Sequence, residues 1–155
     1  MNPSPLPAAV IARVANHPLL SRELEAAYPH IHRVEALCDK YEWHLSCAGC
    51  AHLVFECIEH LQDTLGRFLE FLSDHFMEEE AYMKARGCAA ATHPDYAAHV
   101  EDHARITAEI LRIITAIGTT QTVVLIADLR KLMDDMWHRH FIQHDLSIAE
   151  LETRH

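Results

Sequence analysis

The chain has 155 residues, half of them apolar and only 4 of them glycine, which suits one domain with a substantial core and favours helix over sheet. A formal charge of −10, with no cluster of lysine or arginine, argues against nucleic acid and anionic membrane as partners, and no apolar run approaches the ~20 residues of a spanning helix. The start MNPSPLPAAVIARVANH lacks the basic opening of an export signal. The cysteines (Cys38, Cys47, Cys50, Cys57, Cys88) are odd in number in a chain that needs no staples, so reduced thiols and a cytoplasmic location are expected.

Pro3, Pro5 and Pro7 keep the first residues irregular, and residues 1–30 read as an N-terminal extension with a short amphipathic helix interrupted near Pro18. Pro29 marks the boundary, and the main domain is expected over residues 31–150. There Val34, Leu37, Tyr41, Ala48, Ala51, Phe55 and Ile58 recur at helical spacing, predicting a first long helix from about His30 to Glu59. Asp63 is the candidate N-cap of a second helix, which turns Leu65, Phe68, Phe71 and Leu72 inward and fades at Gly87. After GCAAATHPDY a third helix aligns Tyr96, His99, His103, Ile106, Ile110 and Ile113 and ends near Gly118. A fourth runs from about Thr122 to Glu150 with Ile126, Leu129, Met133, Met136 and Trp137 inward. Four helices of about 25 residues joined by short turns predict an all-α, up-down-up-down four-helix bundle. Met77, Met83, Met133 and Met136 read as packing or pocket lining.

Fourteen histidines far exceed ordinary usage, and no terminal run accounts for them. At about 100° per residue, His75 and Glu79 fall in line with Phe68 and Leu72, His99 and His103 with the isoleucines, and His140 with Met133 and Met136. Imidazoles and carboxylates that face a core need partners. Counted from the turns, His75, His103 and His140 lie within roughly 9 Å of one height, and the same count on the first helix selects His44. On the fourth helix the α-helical angle favours His144 over Asp145, which lies about 140° round from His140. His17, His30, His32, His52, His60, His93, His138 and His155 are expected to face solvent.

The patterns HxxxE (His75, Glu79), HxxxH (His99, His103) and HxxxxD (His140, Asp145), in that order behind an isolated histidine, resemble the hemerythrin family of non-heme diiron oxygen carriers. The flanks HFMEEEAYM, DYAAHVEDH and WHRHFIQHD resemble its bacterial members, and the likeness covers about residues 40–148. It implies two iron ions bridged by Glu79 and Asp145. His99, His103 and His140 would serve one ion, and His44 and His75 the other, whose open position takes up dioxygen or another small diatomic. The family usually shows an aspartate and a glutamine before the first histidine, where this chain has KYEWHLSCAGC. The function implied is reversible oxygen binding for storage or delivery. Residues 1–30 and the cysteines raise the alternative of an oxygen, nitric oxide or redox sensor read by a partner protein. An enzyme reducing peroxide or nitric oxide is the third reading, and the sequence offers no evident proton donor for it.

Cys47 and Cys50 form a CxxC. On the predicted first helix only Cys57 and His60 would lie near them, too spread along it to close a zinc tetrahedron. Small interior residues are the expectation, and a thiol switch the alternative.

Overall fold

The structure is a computed structural model that describes residues 6–38, 46–50, 54–88 and 93–151. Every regular element among them is helical: α1 (Ala8–Val14), α2 (Pro18–Glu35), α3 (Val54–Ala85), α4 (Pro94–Thr115), α5 (Thr122–Asp135) and α6 (Leu146–Leu151). A π-helical segment, Met136–Asp145, connects α5 directly to α6. No helix among the described residues is long and apolar enough to cross a membrane.

α2 starts where the sequence permits a start. Pro18 occupies the first turn, where its missing N–H costs nothing, and the His17 ring accepts a hydrogen bond from the Leu20 N–H at 3.3 Å. The helix then continues through Pro29, so the boundary expected there falls inside a continuous element. A proline in a helix interior costs about 3 kcal/mol, whereas each buried leucine or valine returns about 1.5–3 kcal/mol. Leu19, Leu20, Leu24 and Val34 are all buried on α2, which outweighs the penalty. α1 and α2 are therefore part of the core rather than an appendage: Val14 and Leu20 are fully buried, and α1 packs on α6.

The long helix expected from His30 to Glu59 is replaced by two elements and a turn. Residues 30–35 finish α2, and residues 46–50 form a turn in which Cys50 N–H donates to Cys47 O at 3.1 Å, with Gly49 at φ +83°. That left-handed backbone is open to glycine and costly to other residues. α3 begins at Val54 and runs through Asp63, the expected N-cap, whose carboxylate instead pairs with Arg67 one turn on at 3.0 Å. Phe55, expected inward, is 69 % exposed, and Met77, expected to pack, is 60 % exposed. Tyr41, His44, Ala51 and His52 lie outside the described residues.

α3 packs against α2 and α4, and α5 against α2, α3 and α4. Their apolar stripes, led by Leu61, Leu65, Phe68 and Leu72 on α3, Ile106 and Ile110 on α4, and Ile126 and Leu129 on α5, are almost wholly buried. Continuing those same faces along α3, α4 and the π-helical segment leads to histidines and carboxylates instead of hydrocarbon.

Candidate metal centre

α3 brings in His75 and Glu79 one turn apart, α4 brings in His99 and His103 in the same relation, and the π-helical segment brings in His140 and Asp145. All six are buried, from Glu79 at 0 % exposed to His75 at 8 %. Asp145 arrives there because of helix type. A π-turn closes from residue i to i+5, one residue more than an α-turn, so the fifth residue after His140 comes round over it. In an α-helix it would sit about 140° away. His144, favoured by the α-helical angle, is half-buried at the flank, its ring 5.3 Å from that of His99.

The inward nitrogens converge on two carboxylates. His99 Nε2 lies 3.3 Å from Glu79 Oε2 and 3.1 Å from Asp145 Oδ1. His103 Nε2 is 3.2 Å from Glu79 Oε2, and His140 Nε2 is 3.1 Å from Asp145 Oδ1. His75 Nε2 stands further off, 3.6 Å from Glu79 Oε2 and 4.0 Å from Asp145 Oδ2. Two sets of donor atoms at the centre fit within 4.8 Å, Glu79 with His99, His103 and His140, and His75 with Glu79, His140 and Asp145, and a third, Asp102 with His140 and His144, lies at its flank.

Three of the four rings meet a second carboxylate on their outer nitrogen. His140 Nδ1 is 2.8 Å from Asp102 Oδ2, His103 Nδ1 is 3.1 Å from Glu80 Oε1, and His75 Nδ1 is 3.3 Å from Glu23 Oε1, the last without hydrogen-bond alignment. Asp102 is itself held by Arg105 at 2.7 Å and Arg139 at 3.0 Å. A carboxylate at Nδ1 keeps the proton there and leaves the Nε2 lone pair pointing at the centre, which is the tautomer a metal ligand needs.

Without a cation the inner set is poorly satisfied. Glu79 Oε1 is buried with no hydrogen-bond partner, and His99 Nε2, His140 Nε2 and Asp145 Oδ1 are buried without an aligned hydrogen bond, though the two nitrogens lie 3.1 Å from that oxygen. Each such atom costs about 1–3 kcal/mol, more when charged. Burial, and then the nearby Asp145, push the Glu79 carboxyl well above its usual range. Burial works the same way on Asp145, but His140, His99 and His75 hold it well below. Burial would lower His75 and His140, yet Glu79 beside the first and Asp145 beside the second push both up to about 9. Burial, then His99 and His140, push His103 down to about 2. A cluster that must redistribute protons to stay buried is one that a cation discharges. These groups could hold a metal ion, and their nitrogen and oxygen donors suit borderline first-row ions.

The structure thus gathers six of the seven sequence-derived ligands, and His44 lies outside the described residues. Glu23, Glu80 and Asp102 were not singled out from the sequence as partners of these rings. Glu23 shares the buried face of α2 with Leu20, Leu24 and Ala27, a pattern legible once that segment is read as a core helix. His17, expected in solvent, is 5 % exposed, its Nε2 being 3.2 Å from the Tyr82 hydroxyl. Beside His75 and Asp145 lies a small apolar cavity walled by Leu24, Ala27, Phe71, Met136, Trp137 and Phe141, with Glu23 at its edge. Comparison of the chain with known protein-family models, with curated proteins and with solved structures finds no match to any of them.

Proposed function

We propose that this centre holds two iron ions and that the protein takes up dioxygen reversibly, on a four-helix bundle of the hemerythrin type. The supporting observation is the convergence of four Nε2 atoms on two shared carboxylates whose oxygens have further capacity. Asp145 directs Oδ1 at His99 and His140 and Oδ2 at His75, while Glu79 presents Oε2 to three rings and leaves Oε1 unpartnered. With an oxygen toward each side, Asp145 could bridge two ions, and Glu79 would do so by engaging Oε1 as well. On the resemblance that motivates this reading, a ferrous pair held by these residues would supply the two electrons that oxygen uptake draws.

The chain's own residues shape where oxygen would enter. Among the described residues, the donor set containing His75 has that one nitrogen to itself and shares Glu79 and His140 with the other, and the apolar cavity lies beside it. Phe71, Trp137 and Phe141 line that cavity with hydrocarbon, which would slow water-assisted autoxidation of a bound ferrous pair. The sensor reading loses part of its motive, because residues of the N-terminal segment are built into the core. The reductive reading gains a specific observation. Burial raises the Glu23 carboxyl, which lines the cavity and faces His75 Nδ1, so peroxide or nitric oxide reduction would draw its proton from this pair.

Mixing the reduced, iron-loaded chain with oxygen separates the two. A visible band that persists and bleaches under vacuum supports the carrier. Rapid conversion to oxidised iron, with turnover of added peroxide that Glu23→Gln slows per bound iron, supports the enzyme.

A further inference from the structure

Four of the five cysteines surround one cavity, 22 residues and about 33 Å along α3 from Glu79. They come from three places: Cys38 beyond the end of α2, Cys47 and Cys50 in the 46–50 turn, and Cys57 in the first turn of α3. Val123 and Ile126 of α5 form part of the wall. The turn reverses the chain between Cys47 and Cys50, through the Cys50 N–H to Cys47 O bond and the left-handed Gly49, so both sulfurs of the CxxC serve the same side. It is tied to the start of α5 by Cys47 N–H donating to Gln121 Oε1 at 3.0 Å. No disulfide joins these residues.

A helix through this region would have spread the sulfurs too far for a tetrahedron; the turn removes that obstacle and adds Cys38 as the fourth donor. We propose that Cys38, Cys47, Cys50 and Cys57 form a tetrathiolate site for a soft divalent ion, zinc by its chemistry, that is structural and independent of the histidine centre. Four sulfur donors with a chelating CxxC match the closed tetrahedral form of such sites. The chain alone holds the sulfurs wider than that, since they are not among the groups whose donor atoms gather within 4.8 Å. Bonds of about 2.3 Å set tetrahedral sulfurs about 3.8 Å apart, so binding draws the 46–50 turn inward.

Cobalt(II) is the probe, added to the full, reduced chain and then displaced by zinc. One equivalent should produce a sulfur-to-cobalt charge-transfer band in the near ultraviolet, which imidazole and carboxylate ligands cannot give, and Glu79→Gln should retain it. Replacing both Cys47 and Cys50 by serine should abolish the band. Cys38→Ser or Cys57→Ser should weaken binding by at least about tenfold, the smallest loss expected when even an outer contact to an ion is removed. Cys88→Ser should change nothing. No such band in the native chain, a band that survives the double substitution, or a Cys47–Cys50 disulfide in protein purified under reducing conditions would each overturn the proposal.

Discussion

An imidazole offers a metal one lone pair only while its other nitrogen keeps a proton, so Asp102, Glu80 and Glu23 matter as much as the rings they face. Asp102 is the best placed of the three. Burial works against its charge, but His140 and Arg105 hold its carboxyl down to about 2. Asp102→Asn should weaken iron binding by about 10–100-fold in a chelator competition while leaving helix content unchanged. The titrations give a second expectation. His75 and His140 are raised from 6.5 to about 9, so they stabilise the metal-free fold fully below pH 6.5 and lose that contribution as pH rises through about 9. His103, lowered to about 2, acts oppositely, its contribution complete above 6.5 and lost as pH falls. The melting temperature of the metal-free chain should therefore drop between about pH 7 and pH 10, and metal, which displaces those protons, should flatten the drop. Spacing exposed the inner residues because His75 with Glu79, and His99 with His103, repeat at the helical period. Glu23 reaches its ring from a different helix, and local spacing carries no trace of that pairing.

Helix type decides which aspartate or histidine enters the centre. With α-geometry throughout, His144 would follow His140 inward; the π-helical segment substitutes Asp145. The expected contrast is that Asp145→Ala abolishes stoichiometric iron, whereas His144→Ala leaves it intact, as read by elemental analysis. The HxxxxD pattern was the only sign of this in the sequence, and the resemblance rather than the periodicity made it readable. Breaks were less legible than faces. Pro29 looked like a stop but is carried by the buried leucines around it, and residues 46–50 looked helical because their apolar spacing happens to fit. Pro29→Ala should raise the urea midpoint of the metal-free chain with the slope unchanged, by up to about 3 kcal/mol in stability.

At the scale of the molecule, the centre ties α3, α4 and the π-helical segment together through side chains no longer than a histidine or glutamate. An ion bound there links helices distant in sequence, so loading should raise the melting temperature in a concentration-dependent way. The measurement that bears most directly on the central reading is an iron count. The chain is reduced, loaded with ferrous iron without oxygen, desalted and analysed for metal per polypeptide, with Mössbauer spectroscopy to test whether the ions are coupled. Two coupled irons per chain are predicted, with the pair lost in Glu79→Ala; a native chain that retains no stoichiometric iron, or a Glu79→Ala chain that still holds two, would contradict it.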